Sequence, residues 1–254
     1  MAPFLRLRQI CLVADSLEPA TSRLAAIMGL EVCYRDPHVG KYGLENVLLP
    51  VDATLLEIVA PTRAGTAAGR FLEKTGGHGG YMAIFCCDDP DARGRHAATL
   101  GVRTANVIDH APYHGVQLHP RDCRAAFIEL NHTAGSDNVR GPYPPAGPDW
   151  HKAIRTEVTQ ALTAVELQSP DPDDLAAHWG RILELPVTKG AEGVAELQVP
   201  NATLRFVKGD SEALTALTFK VADPTKIREA AQSQGVATTG DGFTLAGVAF
   251  RLSN

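Results

Sequence analysis

The chain repeats itself, and the repeat limits its fold more than any single residue does. Residues 9–30, QICLVADSLEPATSRLAAIMGL, align without a gap on residues 164–185, AVELQSPDPDDLAAHWGRILEL. Each reads as an alternating strand, a capped helix start, a helix and a turn. The second copy puts Leu175, Trp179, Ile182 and Leu183 on one apolar stripe, and the first puts Ala20, Leu24, Ile27 and Met28 at the same spacing. Asp15 or Ser16 in one copy, and Asp171 followed by Pro172 in the other, supply the expected cap chemistry.

A second pair alternates with the first along the chain. Residues 81–104, YMAIFCCDDPDARGRHAATLGVRT, match 216–238, ALTFKVADPTKIREAAQSQGVAT, as strand, Asp-Pro helix start and Gly-Val exit. After each unit come short β-rich runs broken by Pro, Asp, Gly or Asn: ENVLLPVDATLLEIVAP, GVQLHPRDCRAAFIEL, GVAELQVPNATLRFVK and GDGFTLAGVAFRL. The pattern predicts four βαβββ modules. The Pro- and Gly-rich stretch GPYPPAGPDW falls at their midpoint, which predicts a domain over residues 1–140, a linker over 141–160 and a shorter domain over 161–254.

Composition narrows the partners. With 44% hydrophobic residues the chain can bury an ordinary core, and a net charge of -5 without a Lys/Arg cluster argues against nucleic acid and anionic membrane. A small molecule is the expected partner, and monomer and homodimer both stay open. No segment has the apolar length of a membrane span and the first residues lack a secretory pattern, so a cytoplasmic location is expected. Five cysteines without CxxC or Cys/His spacing predict reduced, mostly buried thiols.

Paired βαβββ modules resemble the vicinal oxygen chelate superfamily, which includes glyoxalase I, methylmalonyl-CoA epimerase, extradiol dioxygenases and antibiotic-binding resistance proteins. The resemblance covers nearly the whole chain. It implies an α+β fold of four modules paired into two curved mixed sheets, with the second pair degenerate. It also implies a divalent metal, Ni, Co, Mn, Mg or Zn, held at equivalent places in the first two modules. Those places carry Gln9 ahead of ICLVADS, Glu57 in TLLEIVAP, Tyr81 where the family usually has His, and Glu129 in FIEL. The phrase QLHPRD ahead of FIEL is similar to a His-Pro-Lys turn that precedes the metal glutamate in the epimerases. His78, in TGGHGGYM, is a candidate replacement for the missing imidazole, with an exposed loop residue as the alternative. In the second half the same places carry Ala164, Phe206, Ala216 and Arg251, none a ligand.

Strand alternation places Glu129 with Phe127 and Ala125, and sets both Glu57 and Glu129 on the face away from the helices. Three readings follow. In the first, a metal-assisted lyase, isomerase or epimerase stabilises an enediolate on a small oxygen-rich substrate, with Glu129 or Glu57 moving the proton. In the second, Tyr81, Phe85 and Phe127 of a metal-free binding or resistance-type protein line an apolar cleft and the acids fix the ligand's polar groups. His119, in the hairpin turn with Pro120, Arg121 and Asp122, is a further candidate substrate contact, with a turn residue bonded to backbone as the alternative. The third, an extradiol dioxygenase, needs two His that neither half supplies at the matching places.

Overall fold

Alternating or continuous apolar runs form strands, and each Asp-Pro pair starts a helix. The computed structural model describes residues 4–254. In chain order it contains β1 (Leu5–Val13), α1 (Ala20–Met28), β2 (Leu44–Val51), β3 (Thr54–Pro61), α2 (Ala67–Thr75), β4 (Gly80–Cys87), α3 (Pro90–Thr99), β5 (Thr104–His110), β6 (Tyr113–Leu118), α4 (Pro120–Cys123) and β7 (Phe127–Thr133). The second half contains β8 (Thr159–Ser169), α5 (Pro172–Leu183), β9 (Val187–Lys189), β10 (Ala195–Val199), β11 (Ala202–Lys208), β12 (Ala213–Val221), α6 (Pro224–Ser233), β13 (Thr238–Thr239), β14 (Gly242–Leu245) and β15 (Val248–Ser253).

Modules two, three and four are βαβββ as the repeat predicts. In module one the strand after the helix is reduced to a single bridge, Tyr34 to Leu48. In every module the first strand pairs in parallel with the last: β1 with β3, β4 with β7, β8 with β11, and β12 with β15. The strand orders are β2-β3-β1-β4-β7-β6-β5 and β13-β14-β15-β12-β8-β11-β10-β9, so the fold is α+β with two mixed sheets that follow the two halves of the chain.

The stripe Leu175, Trp179, Ile182 and Leu183 is fully buried, as the spacing requires. Asp89, Asp171 and Asp223 cap their helices, each side chain accepting a backbone N–H of the first turn. The first helix departs from expectation. Neither Asp15 nor Ser16 caps it. Ser16 donates instead to the Glu18 carbonyl at 2.7 Å, and the helix starts after Pro19, with the Glu18 carboxylate taking the Ser22 N–H at 3.1 Å. The reason is the intervening Leu17-Glu18-Pro19, which moves the start beyond reach of either side chain. The described cysteines are all reduced, four of them buried. Among the described residues no helix is long and apolar enough to cross a membrane.

Two compact units form, and they cut across the halves of the chain. One comprises residues through Arg8, Met82–Pro142 and Thr163–Thr215, which are mostly modules two and three with the start of β1; the other comprises Gln9–Tyr81, Tyr143–Leu162 and Ala216–Asn254, which are mostly modules one and four with the start of β8.

In the unit of modules two and three, α3 meets α5. Arg93 reaches the Leu183 carbonyl and Glu184, His96 meets the Arg181 carbonyl at 2.8 Å, and the Trp179 indole donates to the Cys123 carbonyl at 2.8 Å. Two buried arginines of β1 are satisfied by backbone. Arg6 donates to the carbonyls of Asp137 and Asn138, and Arg8 to those of Val139 and Gly141, which ties down the chain that leaves β7. Burial, the largest influence on Arg6, lowers its pKa.

In the unit of modules one and four, α1 packs on α6. The Thr159 hydroxyl donates to the Met28 carbonyl at 2.6 Å, and Gly79 N–H to the Ala246 carbonyl at 2.8 Å. The Pro-rich stretch is part of this packing, because Tyr143, Ala146 and Trp150 are all buried.

Asn201, in the turn before β11, closes both backbone groups of Leu7, accepting its N–H at 3.1 Å and donating to its carbonyl at 2.8 Å. Asn201→Ala leaves two backbone groups without their amide partner and is expected to lose about 1–3 kcal/mol of stability. Urea unfolding of the purified variant checks this, and an unchanged midpoint would show that the two bonds are replaced by water.

Candidate functional site

Each compact unit carries one buried carboxylate with its own set of donors. In the unit of modules two and three it is Glu129, 3% exposed on β7. The β6–β7 register sets Gln117 opposite Glu129, Gly115 opposite Asn131 and Tyr113 opposite Thr133. The Tyr113 hydroxyl donates to Glu129 Oε1, and Gln117 Nε2 donates to Oε2 at 2.7 Å. Gln117 is fixed in turn by Asn106, whose Nδ2 donates to its Oε1 at 3.1 Å.

Gly115 makes the Tyr113 contact possible. A Cβ there would stand 3.1 Å from Tyr113 Cε1 and 3.3 Å from Glu129 Oε1. The phenol ring therefore leans along the strand over a residue with no side chain. Helix α3 packs on the other face of this hairpin, since a Cβ at Gly94 would meet Val116 Cγ1 at 3.1 Å and Val116 stands opposite Leu130. Glu129 thus points away from α3. Its pKa is raised: burial favours the neutral acid and outweighs Tyr113, Gln117 and Asn131, which favour the anion.

In the unit of modules one and four the carboxylate is Glu57, paired with Cys11 on β1 and Leu48 on β2. Gln9 Nε2 donates to Glu57 Oε2 at 2.7 Å, and Asn46 Nδ2 to Oε1 at 2.5 Å. The other end of each amide is also used. Tyr143 donates its hydroxyl to Gln9 Oε1 at 2.9 Å, and Asn46 Oδ1 accepts Asp36 N–H at 2.8 Å. Tyr81 packs on Phe71 with ring centroids 4.9 Å apart. Burial first, and the nearby Cys11 and Glu57, push its hydroxyl pKa up.

Of the residues predicted for a site, the structure brings Gln9 and Glu57 into direct contact. His78 bonds through Nδ1 to the Gly247 carbonyl at 2.5 Å. His119 caps α4, accepting Arg121 N–H at 3.3 Å. Phe85 and Phe127 do not line one cleft, which corrects the expectation. Phe127 stands opposite Met82 and Phe85 opposite Leu130, so their side chains leave opposite faces of the sheet. In the second half, Ala164, Phe206 and Ala216 are buried apolar positions, and Arg251 meets Asp241 at 3.4 Å.

Sequence reasoning missed Asn46, Tyr113, Gln117 and Tyr143. Gln117 was within reach, because a hairpin closed at HPRD sets it across from Glu129. Tyr143 lies in a stretch with no periodicity, and nothing in the sequence marks it.

No protein-family model matches the chain, and no curated protein matches it in sequence. Solved structures do match. A hypothetical protein from Staphylococcus aureus is similar at a TM-score of 0.68 and 14% identity, covering 98% of this chain and 99% of that one. A Mn(II)-bound glyoxalase from Novosphingobium aromaticivorans is similar at 0.66 and 12% identity, covering 97% and 80%. A mutant 4-hydroxymandelate synthase from Streptomyces coelicolor is similar at 0.65 and 14% identity, covering 93% and 77%. The chain has the vicinal oxygen chelate fold.

That fold implies a metal, and the donor chemistry tests it. A divalent cation needs several acceptor atoms converging on one point. Both oxygens of Glu57 and both of Glu129 instead receive N–H or O–H donors, and the Gln9 carbonyl is taken by Tyr143. Among the described residues no three His, Cys, Asp or Glu side chains group to hold a cation. As arranged in this vicinal oxygen chelate fold, the residues suit a buried carboxyl held by neutral donors and do not fit a divalent cation.

The raised pKa of Glu129 sets a pH dependence. An acid whose folded pKa lies above its unfolded value of about 4.3 stabilises the fold below that value and loses this contribution as pH rises through the folded pKa. Thermal melts of the wild type between about pH 4 and pH 8 should therefore fall more steeply with pH than those of Glu129→Gln. Tyr113→Phe removes a donor to the anion, so its deficit, about 1–3 kcal/mol, should be larger at neutral than at acid pH. Parallel curves for wild type and Glu129→Gln would show that Glu129 does not titrate abnormally.

Proposed function

We propose that the chain acts on a small, oxygen-rich molecule by moving a proton at a carbon next to a carbonyl, an isomerase, epimerase or lyase type of reaction, with Glu129 as the proton acceptor. One observation carries the reading: a fully buried carboxyl, raised in pKa by burial, is held in a single orientation by Tyr113 and Gln117. A carboxylate with a raised pKa is a stronger base than a solvated one, and fixed donors limit it to one proton path. When the proton moves onto Glu129, the burial that opposed the anion is relieved. The enzymes among the structural neighbours are consistent with chemistry on small molecules.

Gln9, Asn46, Tyr143 and Glu57 favour a second reading, a binding protein without turnover. Their hydrogen bonds run between one another and on to the Asp36 N–H, which suits a rigid wall better than a reacting group. Tyr81 and Phe71 add apolar surface beside that wall.

The two readings separate in one experiment. A panel of small α-hydroxy and α-keto acids and their esters is incubated in D2O, and loss of the α-proton signal is followed by NMR. Proton transfer predicts enzyme-dependent exchange for some member, lowered about 100-fold or more in Glu129→Gln. Ligand-induced line broadening with no exchange in any member would favour the binding reading. Exchange that survives Glu129→Gln undiminished would move the base elsewhere.

A further inference from the structure

Beyond Glu129, the same face of β7 carries two more buried polar side chains, Asn131 and Thr133, each 1% exposed. Alternation puts 129, 131 and 133 on one side of the strand. Neither the amide nitrogen and oxygen of Asn131 nor the hydroxyl of Thr133 makes a hydrogen bond of proper geometry, although Asn131 lies close enough to Glu129 to favour its anion. Leaving such groups buried and unpaired is costly, and a protein retains them where something else pairs with them. Apart from Glu129 on its own strand, the neighbouring strands supply no partner: Asn131 faces Gly115 on β6, which has no side chain, and Cys86 on β4, whose thiol turns to the Ser136 carbonyl at 3.8 Å.

We propose that Asn131 and Thr133 form the recognition end of the Glu129 site and take a neutral ligand group that both donates and accepts a hydrogen bond, of which a primary carboxamide is the simplest. This rests on the reading of Glu129 as the acid–base centre. The chemistry follows from the side chains. An Asn amide offers N–H donors and a carbonyl acceptor in one plane, and a second carboxamide meets it with two reciprocal hydrogen bonds. The Thr133 hydroxyl, on the next turn of the pleat, can donate or accept and so tolerates either end of the ligand. A carboxylate ligand is disfavoured at this end. It has no donor for Asn131 Oδ1, and it would bring a second negative charge beside Glu129 in a buried site.

The test uses the full chain with benzamide and benzoate as probes, followed by saturation-transfer NMR and by titration of protein resonances. Benzamide is expected to bind at least tenfold more tightly than benzoate, a comparison that needs no variant. Asn131→Leu is expected to lose benzamide binding at least tenfold while its Tm stays at or above that of the wild type, because an unpaired polar group has been removed. Asn131→Asp serves if the leucine variant does not fold, and should bind benzamide equally poorly. Equal binding of both probes, or benzamide affinity unchanged in these variants, would overturn the inference and assign the two side chains to buried water. Proton exchange dependent on Glu129 but without benzamide binding would sink the recognition role alone; benzamide binding without any exchange would leave recognition standing and remove the acid–base reading.

Discussion

The parallel pairing of the first strand of each module with its last is the interaction on which the remaining structure depends. Parallel neighbours cannot be joined by a tight turn, so a crossover must intervene, and in every module that crossover includes a helix. The four pairs β1–β3, β4–β7, β8–β11 and β12–β15 repeat one solution. The pairing also fixes which side chains become neighbours. Glu57 is carried to the flank of Cys11 and Glu129 to the flank of Ile84, each well inside a sheet where water does not reach.

A carboxylate in that position must find donors or give up its charge. The chain supplies donors from the strand that runs antiparallel to the last one: Asn46 from β2 in module one, Gln117 and Tyr113 from β6 in module two. The two modules differ in what comes next. Module one adds an amide, Gln9, and closes its network with Tyr143 from the Pro-rich stretch. Module two leaves the polar stripe of β7 open at Asn131 and Thr133, and burial dominates the acid. A shared scaffold therefore holds two buried carboxylates, each with donors on both oxygens, and burial raises the pKa of the one in module two. The duplicated half keeps the pairing and fills three of the equivalent positions with Ala164, Phe206 and Ala216, which need no donors, and the fourth with Arg251, which pairs with Asp241.

Much of this was legible in the residue pattern. The repeat, the Asp-Pro caps and the helical stripe depend on neighbours within a few positions, and such local signals survive in a single sequence. The alternation that turns Glu129 away from α3 is equally local. The failures share a cause. Phe85 and Phe127 each fit a cleft when taken alone, but the β4–β7 register puts them on opposite faces, and register is a relation between strands about forty residues apart. The cap of α1 moved because Pro19 displaced the start of the helix beyond Asp15 and Ser16.

The sequence by itself determined the modules, their order and the residue types available to a site, because periodicity and turn chemistry act over short distances. Tertiary structure alone decided three things: that the compact units join modules one with four and two with three, that Tyr143 reaches Gln9 from 134 residues away, and that Gly115 yields its space to the Tyr113 ring. Each depends on contacts between segments distant in the chain. It also decided how the two acids are held, since a glutamate in a strand is the same letter whichever donors the neighbouring strands bring to it.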